Sequence, residues 1–179
     1  MPIKSDVAAV TFGLLSAASW GSGDFSGGMS AKRANVYGVV VISQIAGFII
    51  IVAIALLSGD PIPPLGDLAW GFAAGLVGVV GLVALYSTLS SGQMGIAAPV
   101  SAVVTATIPV VAGAFSQGLP ATVQIGGFIL GFFGVWLLAR PEQTAGEQSQ
   151  PKGLGLAIVA GLSFGSFLVL IHQGSGSSA

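Results

Sequence analysis

Residues 68–139 contain no Asp, Glu, Lys, Arg or His, and Gly, Pro, Ser and Thr divide that run into three apolar stretches. A helix needs about 20 mostly apolar residues to cross a bilayer, so the run is long enough for three passes with short turns between them. A water-soluble domain built on such a run would have no charged outer surface. The chain therefore reads as an all-α membrane protein. Composition agrees, because charged residues make up 6% of the chain, against about 25% in an average soluble domain.

Six apolar segments can be drawn, at about 7–25, 37–57, 68–89, 94–115, 121–139 and 154–171, and all six are read as transmembrane helices. The breaks carry turn chemistry: Lys32-Arg33 after the first, Ser58-Gly59-Asp60-Pro61 with Pro63-Pro64 after the second, and Ser90-Ser91-Gly92-Gln93 after the third. Gln117-Gly118-Leu119-Pro120 and a polar loop at 140–152 supply the last two. Connections this short make consecutive helices antiparallel neighbours. Lys4 followed by an apolar stretch ending in Ser16-Ala17-Ala18 has the outline of a secretory signal, but apolar character continues through Trp20 to Phe25, so the first helix is read as retained.

Several function classes drop out. A net charge of -1 leaves no basic stripe to neutralise phosphates, so no nucleic-acid partner is expected. There is no cysteine, hence no disulfide framework or thiolate nucleophile. His172 is the sole histidine and has no second ligand beside it, so neither a metal nor a cofactor is expected. The glycines lie within helices without a strand or a P-loop lysine, which argues against a phosphate-binding loop.

A repeat gives the second constraint. Ala17-Ala18-Ser19-Trp20-Gly21-Ser22 aligns without a gap on Gly161-Leu162-Ser163-Phe164-Gly165-Ser166. Five crossings separate the starts of the two copies, and an odd number makes them enter the membrane in opposite directions. Inverted-topology repeats of this kind characterise secondary transporters that alternate access around a site near the midplane.

Trp20-Gly21-Ser22-Gly23-Asp24-Phe25, Ala84-Leu85-Tyr86 and Gly95-Ile96-Ala97-Ala98-Pro99-Val100-Ser101, in this order and spacing, resemble the EamA-like family of the drug/metabolite transporter superfamily. The resemblance implies ten helices in two inverted five-helix repeats around a central cavity, in a multi-pass protein of the bacterial plasma membrane that moves small metabolites. Residues 1–139 would then form the first repeat and 153–179 the first helix of the second, leaving the C-terminal half missing or its place taken by a second copy. The sixth helix, without the rest of its repeat, is expected to pack poorly. Family members commonly carry Gly-Glu before the fifth helix, where this chain has Gln117-Gly118.

The candidate substrate pathway consists of Trp20, Asp24, Gln44, Tyr86, Ser101, Thr105 and Ser163. Asp24 is the only carboxylate inside an apolar segment, and such a charge at the bilayer centre costs about 2.5–3.5 kcal/mol on insertion scales. It reads either as a proton-coupling or substrate-binding group, or as an interfacial residue that is paired with Lys32 or Arg33 or lies in water. Ser101 and Thr105 lie one turn apart on the helix that Pro99 and Pro109 can kink, where they line a cavity or bond their own backbone. Tyr86 and Gln44 divide in the same way between pathway and simple anchoring or helix pairing. Gly71, Gly75 and Gly78, and Gly127, Gly131 and Gly134, recur at helical steps and are expected to let helices approach closely.

The leading reading is a secondary transporter, or a piece of one, that binds a small molecule, with a coupling ion as a further candidate partner and lipid around it. A packing subunit that transports nothing is the alternative, and a membrane-embedded enzyme a weaker one, since no paired carboxylates, histidine cluster or nucleophile with its base is visible. Orientation is contested. Lys4 alone lies on the N-terminal side, while Lys32, Arg33, Arg140 and Lys152 lie opposite, which favours an external N-terminus, whereas the resemblance implies a cytoplasmic one.

Overall fold

The computed structural model describes residues 2–59, 61–92, 94–118, 120–138 and 151–176. They form six α-helices: α1 (Pro2–Ala31), α2 (Val36–Ser58), α3 (Leu65–Ser90), α4 (Met94–Gln117), α5 (Thr122–Leu138) and α6 (Pro151–Gly176). No strand occurs among the described residues. The polar loop expected at 140–152 lies outside them, except that Pro151 and Lys152 open α6.

Local chemistry sets the ends. Asn35 stands in extended conformation before α2, and its side chain accepts a hydrogen bond of 2.9 Å from the Tyr37 N–H, which satisfies one of the donors a helix start leaves unpaired. Gly59 ends α2 at a φ of 69°, a left-handed conformation that glycine enters without the penalty of a Cβ. Before α5 the Gln124 side chain turns back to accept from the Ala121 N–H at 2.9 Å.

Four helical stretches, Val36–Ser58, Leu65–Ser90, Ala97–Ser116 and Gly153–Gly174, are long and apolar enough to cross a membrane; α5 is a shorter apolar helix over Thr122–Leu137. This is coarser than six spans. α1 falls short because Thr11, Ser16, Ser19, Ser22 and Asp24 dilute its apolar residues. The helices carry apolar side chains outward, with Leu56 79% and Phe115 89% exposed, as expected where lipid and not water is the solvent.

α6 lies in the groove between α3 and α4 and packs more extensively on each than any other pair of helices does. The expectation of a loosely packed sixth helix is therefore overturned. Its physical cause is size: α6 presents Ala157 and Ala160, both fully buried, and its backbone sinks against α4 at Gly161 and Gly165. A methyl at Gly161 would stand 2.5 Å from the Val104 Cβ and 2.7 Å from the Ser101 carbonyl oxygen, and one at Gly165 would stand 2.6 Å from the Ile108 Cβ. Lipid tails are as apolar as leucine, so close van der Waals fit between small residues holds such helices together.

These contacts also give the directions of the helices. Along α4 and α6 the partners advance together, Val104 with Gly161 and Ile108 with Gly165, so the two run parallel. Along α3 and α6 they advance oppositely, Gly78 with Phe167 and Gly81 with Phe164, so these are antiparallel. α1 follows α3, because Gly27 lies on Tyr86 and Trp20, two turns earlier, meets Phe167 at the level of Gly78. α1 and α6 therefore run in opposite directions.

The expected packing glycines need correction. Gly78 does adjoin Phe167, but Gly71, Gly75, Gly127, Gly131 and Gly134 have open space where a Cβ would go. Tight approaches occur instead at Gly27, Gly81, Gly161, Gly165 and Gly174, among others of the described residues. Gln44 is exposed, because α2 is held only through its first turns at Val36, Val39 and Val40 and beyond Gly47 no residue of it is shielded.

Candidate functional site: a cavity between α1, α3, α4 and α6

A cavity of about 410 Å³ opens where four helices meet. α1 contributes Trp20 and Asp24, one turn apart on one face; α3 contributes Leu85 and Leu89. α4 supplies a floor of small residues, Ala98, Ser101, Ala102, Thr105 and Ala106, and α6 closes the side with Phe164, Phe167 and Leu168. The volume lies within the range of about 300–1,000 Å³ usual for small-molecule sites, and the lining is mostly apolar with a few polar groups, as such sites generally are.

The aromatic wall is built by edge contacts. Trp20 meets Phe164 with ring centroids 6.5 Å apart at 80°, and Phe167 at the same separation and 65°. Edge-to-face geometry places the positive rim of one ring on the negative face of another. Asp24 is half-buried, and no hydrogen bond or ion pair joins its carboxylate to another described residue; of the alternatives left open for it, pairing with Lys32 or Arg33 is not formed. Those two cations begin eight residues further on, about 12 Å along the helix axis.

Most hydroxyls serve their own helices: Ser22, Ser87, Thr88 and Thr107 each donate to the carbonyl four residues back. Thr105 differs. Its hydroxyl reaches across to the Gly161 carbonyl at 3.4 Å, which ties the cavity floor to α6. Pro109 has no N–H to offer the Thr105 carbonyl, and that oxygen instead lies against Gly165, where a methyl would come within 3.0 Å of it.

Of the sequence candidates, Trp20, Asp24, Ser101 and Thr105 come together on this cavity. Tyr86 stands behind it, buried, with its ring against Gly27 and within electrostatic reach of Asp24. Ser163 is buried against Gly81 on the α3 side of α6, and Gln44 is remote on α2. Phe167 and Leu168 were missed. Phe164 was on view as the counterpart of Trp20 in the repeat, and counting one turn onward would have added the other two.

Gly27 permits the close seat of Tyr86, so Gly27→Ala is expected to destabilise the fold by about 1–3 kcal/mol, the usual cost of overpacking. Chemical denaturation in detergent would measure it. Restoration of stability by adding Tyr86→Leu would assign the loss to this contact, and a neutral Gly27→Ala would refute it.

A second cavity, of about 360 Å³, lies between the later turns of α4 and α6, lined by Pro109, Ala112, Gly113 and Ser116 on one helix and Leu168, Val169, His172 and Gln173 on the other. The two are continuous in register. Positions 98, 101/102, 105/106, 109, 112/113 and 116 form one stripe at helical spacing down α4, and Leu168 lines both cavities.

No curated protein and no solved structure matches the chain. The profile of the EamA-like transporter family matches residues 7–140, which takes in α1 from residue 7 onward, α2 through α5 and most of the cavity lining. With a helical bundle of membrane-spanning character around a small-molecule cavity already in view, that match decides the family: the chain belongs to the EamA-like transporters.

Proposed function

We propose that the chain moves a small solute across a membrane by alternating access, with the cavity between α1, α3, α4 and α6 as the place where the solute is held. The observation that carries this reading is the unbroken stripe of small residues on α4 that lines both cavities. A solute leaving the first cavity along that stripe meets Leu168 before it enters the second. In this reading the passage opens or closes at this side chain, and the missing α4 hydrogen bond at Pro109, one of two prolines inside the helix, puts a deformable point beside it.

In this reading all six helices cross the bilayer of a bacterial plasma membrane, residues 1–139 are one repeat, and α6 begins an inverted second one. Two observations support it. α1 and α6 run in opposite directions, and Trp20 and Phe164, which hold the same place in the two copies, touch each other. Residues exchanged by a two-fold axis meet only close to that axis, so the contact is what a pseudo-two-fold through the cavity would produce. The walls not provided by the described residues would come from further helices of that repeat or from a second copy.

Uptake of labelled amino acids and small amines into proteoliposomes tests the proposal. Leu168→Trp is expected to reduce uptake to background while leaving the unfolding transition unchanged, because the larger side chain fills the junction of the cavities. Wild-type uptake by the Trp variant would remove the pathway, and absence of uptake by the unaltered protein for the whole panel would favour a packing subunit.

A further inference from the structure

The first cavity also has a chemical preference, and the inference rests on the transport reading above. Asp24 is the only ionisable side chain among the described residues that line it. No described residue pairs with that carboxylate, and no Lys, Arg or His is among the described residues that line the cavity. It shares the lining with the rings of Trp20, Phe164 and Phe167 and with the methyl groups of Ala98, Ala102 and Ala106.

We propose that the cavity binds amphipathic organic monocations, an ammonium group carried on an aromatic or branched aliphatic body. Each wall answers one part of that ligand. A cation supplies the countercharge Asp24 lacks, and it gains further from the faces of Trp20 and the two phenylalanines, since aromatic quadrupoles attract ammonium groups. The apolar body replaces water along the alanine floor.

Other ligand classes fit less well. An organic anion would meet one carboxylate and no cation among the described lining residues. A zwitterion would place its own carboxylate among alanines and leucines, where the described lining offers neutral donors alone, the Trp20 indole N–H and the Ser101 and Thr105 hydroxyls, and the last of these is directed at the Gly161 carbonyl. A divalent metal ion needs about six oxygen ligands, and the lining offers one carboxylate and two hydroxyls. A neutral aromatic solute would use the rings but leave the carboxylate unpaired in an apolar wall.

The test uses three probes that share a phenylethyl or benzyl body and differ in head group: 2-phenylethylamine, 2-phenylethanol and phenylacetate. Binding to the purified full chain is measured by calorimetry, and uptake in proteoliposomes alongside it. The amine should bind about tenfold or more tighter than the alcohol, as a desolvated charge pair warrants, and phenylacetate should not compete. Asp24→Asn should bring the amine down to the level of the alcohol while the alcohol binds as before, which shows that the pocket is intact. Asp24→Glu should keep the preference for the amine.

Equal binding of amine and alcohol by the unaltered protein, or retention of the amine preference by Asp24→Asn, overturns the proposal. So does the absence of binding by all three probes. The transport reading fails separately: selective binding of the amine without uptake of any probe would leave the cation site standing and remove transport, whereas equal uptake of all three would keep transport and remove the cation site.

Discussion

Gly161→Ala combined with Gly165→Ala is expected to break the contact between α4 and α6 and to lower stability by about 3 kcal/mol or more, each site contributing an overpacking cost of about 1–3 kcal/mol. Two effects compete in each substitution. Alanine is the better helix former by about 0.5–1 kcal/mol, which alone would stabilise α6. The added methyls, however, would stand 2.5 Å from the Val104 Cβ and 2.6 Å from the Ile108 Cβ, with the carbonyl oxygens of Ser101 and Thr105 at 2.7 and 3.0 Å. Backbone oxygens cannot rotate away as side-chain ends can, so the helices must separate and the steric cost wins. Denaturation of the purified variants in mixed micelles measures the difference. Gly127→Ala with Gly131→Ala provides the control, since nothing lies within 4 Å of either added methyl. Similar losses in both pairs would show that flexibility and not close approach is what the glycines supply.

Removal of α6 by ending the chain after residue 150 should be as damaging as the loss of α3 or α4, and no cooperative unfolding transition should remain. α6 is the only element packed extensively on both α3 and α4, and those two have few contacts with each other. Without it, Tyr86 keeps its contact with Gly27 on α1, but the α3 face at Gly78 and Gly81 and the α4 face at Val104 and Ile108 lose their partners together. Size-exclusion chromatography and limited proteolysis of the detergent-extracted chain would report the loss. A shortened chain that stays monodisperse and resists protease as well as the intact one would mean that α1 to α5 stand by themselves and that α6 is an addition to them.

Much of this architecture was legible in the amino-acid order. Charge-free runs broken by Lys32-Arg33, by Pro63-Pro64 and by Ser90-Ser91-Gly92 mark the turns because a buried backbone can be interrupted only where polar groups find partners. The structure extends α1 to Ala31, beyond the expected end near Phe25, since Gly27 and Gly28 are tolerated in a helix whose end is packed on Tyr86. Trp20 and Asp24 were recognisable as neighbours from their spacing alone, and Ser101 and Thr105 likewise.

Spacing determines which residues share a face of one helix, and for this chain the sequence by itself determined that much: six helices, their order, and the stripes along each. Tertiary structure decided which stripe meets which neighbour. Gly71 and Gly75 have the same periodicity as Gly161 and Gly165, yet the first two face open space and the last two lie against α4. In a water-soluble protein polarity separates an inward from an outward face. Lipid is as apolar as a protein interior, so that signal disappears here, and only the fit of small residues against another backbone distinguishes a buried face from a lipid-facing one.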